Sequence, residues 1–79
     1  MDATSTRPLA VVTGASSGIG LELARCCARE GFDLVLAADQ PLQGAEAELR
    51  DLGANVECVQ VDLATRNGVD QLVDAVEHR

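Results

Sequence analysis

The chain has 79 residues, 47% of them hydrophobic, and a formal net charge of −7 at pH 7. This is enough for one small domain and too apolar for a disordered acidic segment. The negative charge argues against nucleic acid or an anionic membrane surface as a partner, because both are bound through basic patches, and no apolar run approaches the roughly 20 residues of a membrane-spanning helix.

The first half of the chain predicts a strand, a helix and a second strand. Residues 1–7 are expected to be a flexible leader, and the apolar run at residues 9–12 predicts a strand that is covered on both faces, as in a parallel sheet. A glycine-rich turn follows, and residues 18–30 predict a helix that ends at Gly31. The second apolar run, residues 33–38, predicts a second strand.

The next segment predicts a second helix with one apolar face. Pro41 suits the first turn of a helix, either Asp39 or Gln40 is the candidate N-cap, and Gly53 is the expected end. Apolar side chains recur there at helical spacing, at Leu42, Ala45, Leu49 and Leu52. This face is expected to pack on the sheet.

The last third of the chain predicts a third strand and a third helix. Residues 56–61 are more mixed in polarity than the first two strands, as expected nearer a sheet edge, and Thr65 is the candidate N-cap of the helix. The inward face of this helix is expected to carry Val69, Leu72, Val73 and Val76. The order β-α-β-α-β-α predicts an α/β fold with a parallel three-stranded sheet and right-handed crossovers, a half-Rossmann domain over residues 8–79.

The turn after the first strand, residues 13–20, has the sequence Thr-Gly-Ala-Ser-Ser-Gly-Ile-Gly. Gly14 permits a tight turn, Gly18 lets the backbone approach a pyrophosphate, and Gly20 lies on the helix face that must pack closely on the sheet. The helix then offers unpaired N–H groups and its positive dipole end to phosphate oxygens. The missing Gly-Lys-[Ser/Thr] excludes a P-loop, and the alternative interpretation is a strand–helix turn that binds no ligand.

These eight residues resemble the signature of the short-chain dehydrogenases/reductases, with glycines spaced G-x-x-x-G-x-G, and the later Val61-Asp62-Leu63 is similar to the end of the third strand in that family. The resemblance covers residues 8–79. It implies the nucleotide-binding part of an NAD(P)-dependent oxidoreductase that moves a hydride between the cofactor and an alcohol/carbonyl pair.

The resemblance also implies roles for single residues of the two motifs. Ser16, Ser17 and Ile19 would line the pyrophosphate, together with the glycines of the turn. Asp62 and Leu63 would meet the adenine ring, where a carboxylate can accept a hydrogen bond from the adenine amino group. The alternative role for Asp62 is that of a turn residue that caps the third helix.

NAD is the expected cofactor rather than NADP. NADP needs a cation for its 2′-phosphate, and the positions where NADP-preferring relatives often carry one hold Ser17 and Asp39-Gln40. Asp39 follows Gly20 at close to the interval expected of a ribose-binding acid and would repel a 2′-phosphate. Two alternatives remain open at this stage, because the family's NAD-selecting acid aligns better with Ala38 and Asp39 could instead cap the second helix.

The family's catalytic residues do not occur in this chain. It contains no tyrosine and no lysine, whereas the resemblance implies a catalytic Ser and a Tyr-x-x-x-Lys pair downstream. We therefore expect a truncated domain that performs no hydride transfer alone. The alternative is a non-catalytic module that binds a nucleotide or associates with itself; a receiver-like signalling domain is a poor match, because no acidic pair follows the first strand.

Self-association and a cytoplasmic location are also expected. Without the family's fourth strand, residues 9–12 would form an unpaired apolar edge, so two copies are expected to pair through this edge or through the surfaces of the first and third helices. The three cysteines, Cys26, Cys27 and Cys58, have no metal-binding spacing and predict reduced thiols in the cytoplasm.

Overall fold

Three parallel strands alternate with three helices in the computed structural model, which describes residues 7–78. The elements are β1 (Leu9–Thr13), α1 (Gly18–Arg29), β2 (Asp33–Ala38), α2 (Gln43–Asp51), β3 (Val56–Gln60) and α3 (Arg66–Glu77). β2 lies in the middle of the sheet, with Val35 opposite Val11 of β1 and Leu36 opposite Cys58 of β3. The predicted α/β fold is confirmed.

The predicted leader lies outside the described residues except for Arg7. The Nε atom of Arg7 lies 2.9 Å from Oδ1 of Asp33, the first residue of β2. The same Oδ1 accepts a hydrogen bond from the Asn55 backbone N–H just before β3, at 3.3 Å. Asp33 therefore joins the starts of all three strands, at the end of the sheet that lies opposite the glycine turn.

The core lies between the sheet and the helices α1 and α2. The four residues 34–37 of β2 are fully buried; α1 packs on β1 and β2 with its small side chains Ala24 and Ala28 buried, and α2 packs on β3 with Leu49 buried. Arg25 of α1 bridges to Glu48 of α2, and the side-chain hydrogen bonds between them raise the pKa of Arg25 and lower that of Glu48. Burial of the apolar faces of the helices on a parallel sheet makes the main contribution to the stability of such a small domain.

The opposite face of the sheet is covered only in part. α3 packs there on β2 and β3, while Leu9 and Val11 of β1 stay 37% and 44% exposed. On α3 itself, Val69 and Val73 are 43% and 47% exposed. The prediction that β1 is covered on both faces is therefore wrong, because α3 does not extend over β1. The predicted inward placement of Val69 and Val73 is wrong for the same reason.

The helix ends follow the sequence signals except at the start of α2, and α2 ends as predicted before Gly53, whose φ is +96°. Gly31 adopts a φ of +90° after α1, and the Thr65 hydroxyl caps α3 by accepting a hydrogen bond from the Gly68 N–H at 3.0 Å. The predicted capping of α2 by Asp39 or Gln40 is wrong. That helix begins only at Gln43, because Leu42 turns its side chain into the core, where it is 3% exposed, and occupies the N-cap position.

Candidate functional site

A cleft lies where the three strands end. Its volume is about 270 Å³, and its lining residues are Gly14, Ser16, Ala38, Asp39, Val61, Asp62, Leu63 and Ala64. The carboxyl ends of parallel strands meet at one edge of a sheet, which is where open α/β sheets bind their ligands. The cleft brings together residues of three separate loops, the ones that follow β1, β2 and β3.

The cleft contains five of the nine predicted site residues, namely Gly14, Ser16, Asp39, Asp62 and Leu63. The other four, Ser17, Gly18, Ile19 and Gly20, lie beside it at the beginning of α1. Ile19 projects from the surface there, with 81% of its area exposed. Three lining residues were not predicted, Ala38, Val61 and Ala64, since small apolar residues at strand ends carry no distinctive sequence signal.

The glycine turn is built on backbone geometry that other residues do not readily adopt. Gly14 and Gly18 have φ values of +64° and +62°, in the left-handed region. At Gly20 a Cβ atom would lie 2.1 Å from the carbonyl oxygen of Gly14 and 2.9 Å from that of Thr13, the last residue of β1, so α1 approaches the end of β1 and the turn more closely than any other residue would allow. The N–H of the buried Ala15 donates to the Ala37 carbonyl at 3.3 Å and ties the turn to β2.

The N-terminus of α1 has no capping side chain within the described residues. Ser17 occupies the N-cap position in an extended conformation, yet its hydroxyl makes no capping hydrogen bond, and the first turn contains no acidic residue. α3 begins differently, since the Thr65 hydroxyl caps it. The first-turn N–H groups of α1 therefore remain available to an anion, which the helix dipole would also favour.

The turn after β3 fixes Asp62 through several hydrogen bonds. Its Oδ1 accepts from the Ala64 N–H at 2.9 Å, and its backbone carbonyl accepts from the N–H and the hydroxyl of Thr65, at 3.1 and 2.8 Å. In the part of the chain that the structure describes, Oδ2 has no partner. One oxygen of Asp62 thus serves the turn, and the other is left for a ligand.

The cleft carries negative and no positive charge among its lining residues. Asp39 is exposed, and its carboxylate has no hydrogen-bond partner within residues 7–78. It caps no helix, because α2 begins four residues later. Together with Asp62 it makes the mouth of the cleft acidic, so phosphate groups are favoured only at the α1 end, where backbone N–H groups supply the donors.

A second, smaller cavity adjoins β3 on the α2 side. It has a volume of about 210 Å³, and its lining residues are Leu42, Gln43, Glu46, Cys58 and Gln60. Burial, with the nearby Glu46 carboxylate, raises the pKa of the Cys58 thiol to about 11, so this cysteine is not an activated nucleophile. Within residues 7–78 we find no group of three or more side chains suited to hold a metal ion and no helix able to span a membrane.

Comparison with known proteins gives a consistent set of relatives. A profile of the short chain dehydrogenase family matches residues 8–79. A hydroxysteroid 11-beta-dehydrogenase 1-like protein of Xenopus tropicalis is 46% identical over 66 residues, which cover 80% of this chain and 23% of that protein.

Solved structures agree in fold. L-sorbose reductase from Gluconobacter frateurii, complexed with NADPH and L-sorbose, superposes with a TM-score of 0.86 at 44% identity, covering 90% of this chain and 28% of that one. A 3-oxoacyl-[acyl-carrier protein] reductase from Brucella melitensis in complex with NAD gives a TM-score of 0.83 at 40% identity, covering 92% and 29%. The chain spans less than a third of the length of these relatives.

Proposed function

Because the chain belongs to the short-chain dehydrogenase family, we propose that it binds the adenosine diphosphate half of a nicotinamide dinucleotide. The observation that carries the proposal is the uncapped N-terminus of α1, reached through a turn whose Gly14 and Ser16 line the cleft. A pyrophosphate needs several N–H donors, and this helix end offers them with no acidic residue in its first turn.

Different residues of the site bind different parts of the ligand. The pyrophosphate group lies on Gly14, Ser16, Ser17, Gly18, Ile19 and Gly20. The adenine ring lies against Leu63, with its amino group donating to Asp62. Backbone donors hold the phosphates, which is how a chain with a net charge of −7 binds an anionic ligand.

NAD is the proposed cofactor in preference to NADP. Asp39 and Asp62 line the cleft, and none of the lining residues is an arginine or lysine that could neutralise a 2′-phosphate. The unpartnered Asp39 carboxylate suits the ribose hydroxyls of NAD, which donate hydrogen bonds.

Hydride transfer belongs to the whole protein in this proposal. When bound, the dinucleotide would supply a hydride to the carbonyl of the alcohol/carbonyl pair, or accept one from the alcohol. The chain has no tyrosine or lysine to act as a proton donor, which supports the view that it does not catalyse the reaction alone. Turnover of any carbonyl substrate by the purified 79-residue chain would contradict this part of the proposal.

Calorimetric titration of NAD tests the binding site, with two glycine variants as a matched pair. Gly18→Ala and Gly53→Ala both place a side chain at a positive φ, +62° and +96°, and in both the added Cβ meets no protein atom within 4 Å. Each should lose about 1–2 kcal/mol of stability through backbone strain. Only Gly18→Ala should also weaken NAD binding, by about 10-fold or more, because its Cβ would occupy space that the bound pyrophosphate needs.

Two results would contradict the proposed site. In the first, the folded wild-type chain binds neither NAD nor NADP, so that the glycine turn serves packing alone. In the second, Gly18→Ala and Gly53→Ala bind NAD equally well, so that the ligand does not approach the turn. Preference for NADP would leave the site in place and remove the role of Asp39.

We also propose that the chain associates with itself, which is the property that the alternative function, a non-catalytic module, depends on. Within the described residues β1 pairs only with β2, and its five residues carry no charge to discourage pairing with another strand. The apolar surfaces of α1 and α3, at Leu23 and Val73, are the alternative contacts. Light scattering at high concentration should show a dimer, and Val11→Lys should dissociate it. Dissociation by Leu23→Lys or Val73→Lys would indicate contacts through the helices instead. A strictly monomeric wild type would refute self-association.

The cellular location is proposed from cysteine chemistry. All three cysteines are free thiols, which suits a reducing compartment such as the cytoplasm.

A further inference from the structure

We propose that Gly68 and Thr65, which lie outside the cleft, are positioning residues that set the carboxylate of Asp62 for adenine recognition. The inference rests on the proposed nucleotide binding and adds to it two residues of α3 and its N-cap. Its basis is a close contact between the first turn of α3 and the backbone of the loop that carries Asp62.

The contact at Gly68 leaves no room for a side chain. A Cβ atom there would lie 2.0 Å from the carbonyl oxygen of Asp62 and 2.7 Å from its carbonyl carbon. Carbon atoms pack at about 3.5–4.0 Å, so an alanine would force the helix and the loop apart by about 1 Å or more. The obstacle is backbone and cannot rotate away, as the end of a flexible side chain could.

The Thr65 hydroxyl locks the same contact in a single arrangement. It donates to the Asp62 carbonyl at 2.8 Å and accepts from the Gly68 N–H at 3.0 Å. Both roles are filled by one oxygen, so its hydrogen must point at Asp62. The first turn of α3 is thereby fastened to the residue whose side chain lines the cleft.

This fastening determines where Asp62 presents its free oxygen. Oδ1 is held by the Ala64 N–H, so the position of Oδ2 follows the backbone of the loop. The hydrogen bond that an adenine amino group donates to a carboxylate tolerates only about 0.5 Å of variation in length. A displacement of about 1 Å at Gly68 is therefore enough to break it while leaving the pyrophosphate contacts at α1 in place.

The test compares NAD with nicotinamide hypoxanthine dinucleotide, which carries a carbonyl oxygen in place of the adenine amino group and a hydrogen on the neighbouring ring nitrogen N1. Calorimetry on the full 79-residue chain gives the ratio of the two dissociation constants. Wild type should prefer NAD by about 10-fold, the value of one hydrogen bond to a charged acceptor. Gly68→Ala should lower this ratio to near 1.

Two controls separate positioning from general damage. Gly44→Ala makes the same change in the first turn of α2, where an added Cβ meets nothing within 4 Å, and should keep the wild-type ratio. Thr65→Ser retains the hydroxyl and should also keep the ratio, while Thr65→Val should lose it. The threonine pair serves as the deciding comparison if Gly68→Ala fails to fold.

The outcomes are distinct. Loss of the NAD preference in Gly68→Ala and Thr65→Val, with both dinucleotides still bound, supports the inference, because a merely structural role would weaken both ligands alike. A wild-type ratio in folded Gly68→Ala, or equal ratios in Thr65→Ser and Thr65→Val, overturns it and leaves nucleotide binding untouched. Binding of neither dinucleotide by wild type overturns the proposed function and this inference with it.

Discussion

Replacing Asp39 by asparagine should change the choice between NAD and NADP more than it changes the affinity for NAD. The Asp39 side chain is exposed at the mouth of the cleft, and it lies in the loop immediately after β2. Asparagine keeps the shape and one acceptor oxygen for a ribose hydroxyl, so affinity for NAD should fall only a few-fold. It removes the negative charge that opposes the 2′-phosphate of NADP.

The size of that repulsion follows from the exposure of the carboxylate. Two unit charges about 5 Å apart interact with about 3 kcal/mol at an effective dielectric constant of 20 and about 1 kcal/mol in water. Asp39 is exposed, so the lower figure applies, and a phosphate carrying nearly two charges is then disfavoured by about 1–2 kcal/mol. Asp39→Asn should tighten NADP binding by about 5- to 30-fold.

Calorimetry with both dinucleotides, at low salt and at 1 M salt, measures the effect. The wild-type preference for NAD should shrink at 1 M salt, where the screening length is about 3 Å, and the variant should show little salt dependence. Asp51→Asn is the matched control, because it changes the net charge equally at an exposed residue outside the cleft. An unchanged NAD-to-NADP ratio in Asp39→Asn, or an equal change in Asp51→Asn, would refute the role of Asp39.

Two further predictions concern the core and the thiols. Leu49→Ala should lower the free energy of unfolding in urea by about 2–5 kcal/mol, and Leu52→Ala by under about 1 kcal/mol, because Leu49 is fully buried and Leu52 is 40% exposed; equal losses would contradict the packing of α2. Cys58 should react with a thiol reagent at pH 8.5 far more slowly than the exposed Cys26, and equal rates would contradict its burial. Since the folded-state pKa of Cys58 is raised from 9.0 to about 11, its stabilising contribution is complete below pH 9 and is lost as the pH rises toward 11, a loss that Cys58→Ser should abolish.

The sequence was most informative where one physical requirement acts on each residue. The second strand was predicted with its observed bounds, because residues 34–37 are apolar without a break, as a strand covered on both faces must be. Thr65 was identified as a cap, since a hydroxyl before an apolar helical stripe has few other local uses. The glycine turn was recognised for a similar reason, because positive φ and close approach both demand glycine at fixed spacing.

Prediction failed where the outcome depends on which other element covers a surface. Leu49 and Leu52 belong to one apolar series, yet only Leu49 is buried, because α2 ends at Asp51 and the chain turns away at Gly53. The same limit applies to Val73, whose apolar spacing predicts burial but not the extent of the sheet beneath α3. Periodicity identifies a face, and the length and position of the neighbouring elements decide how much of it is buried.

The two ends of the candidate site share one structural feature, a close contact between a glycine in the first turn of a helix and a backbone carbonyl group of the preceding loop. Gly20 lies six residues after Gly14, and Gly68 lies six residues after Asp62; in both pairs the glycine packs against the carbonyl group of the earlier residue. This repeated spacing is the sequence signal that would have identified Gly68.

The two turns differ in what satisfies the first N–H groups of the helix. At α3 the hydroxyl of Thr65 does so and the turn is closed, which fixes a side chain, Asp62, beside the cleft. At α1 no side chain does so within residues 7–78, and the open donors suit a phosphate. A ligand that carries both a base with an amino group and a pyrophosphate matches this pair of ends, whereas a simple phosphate would make no use of the fixed carboxylate at Asp62.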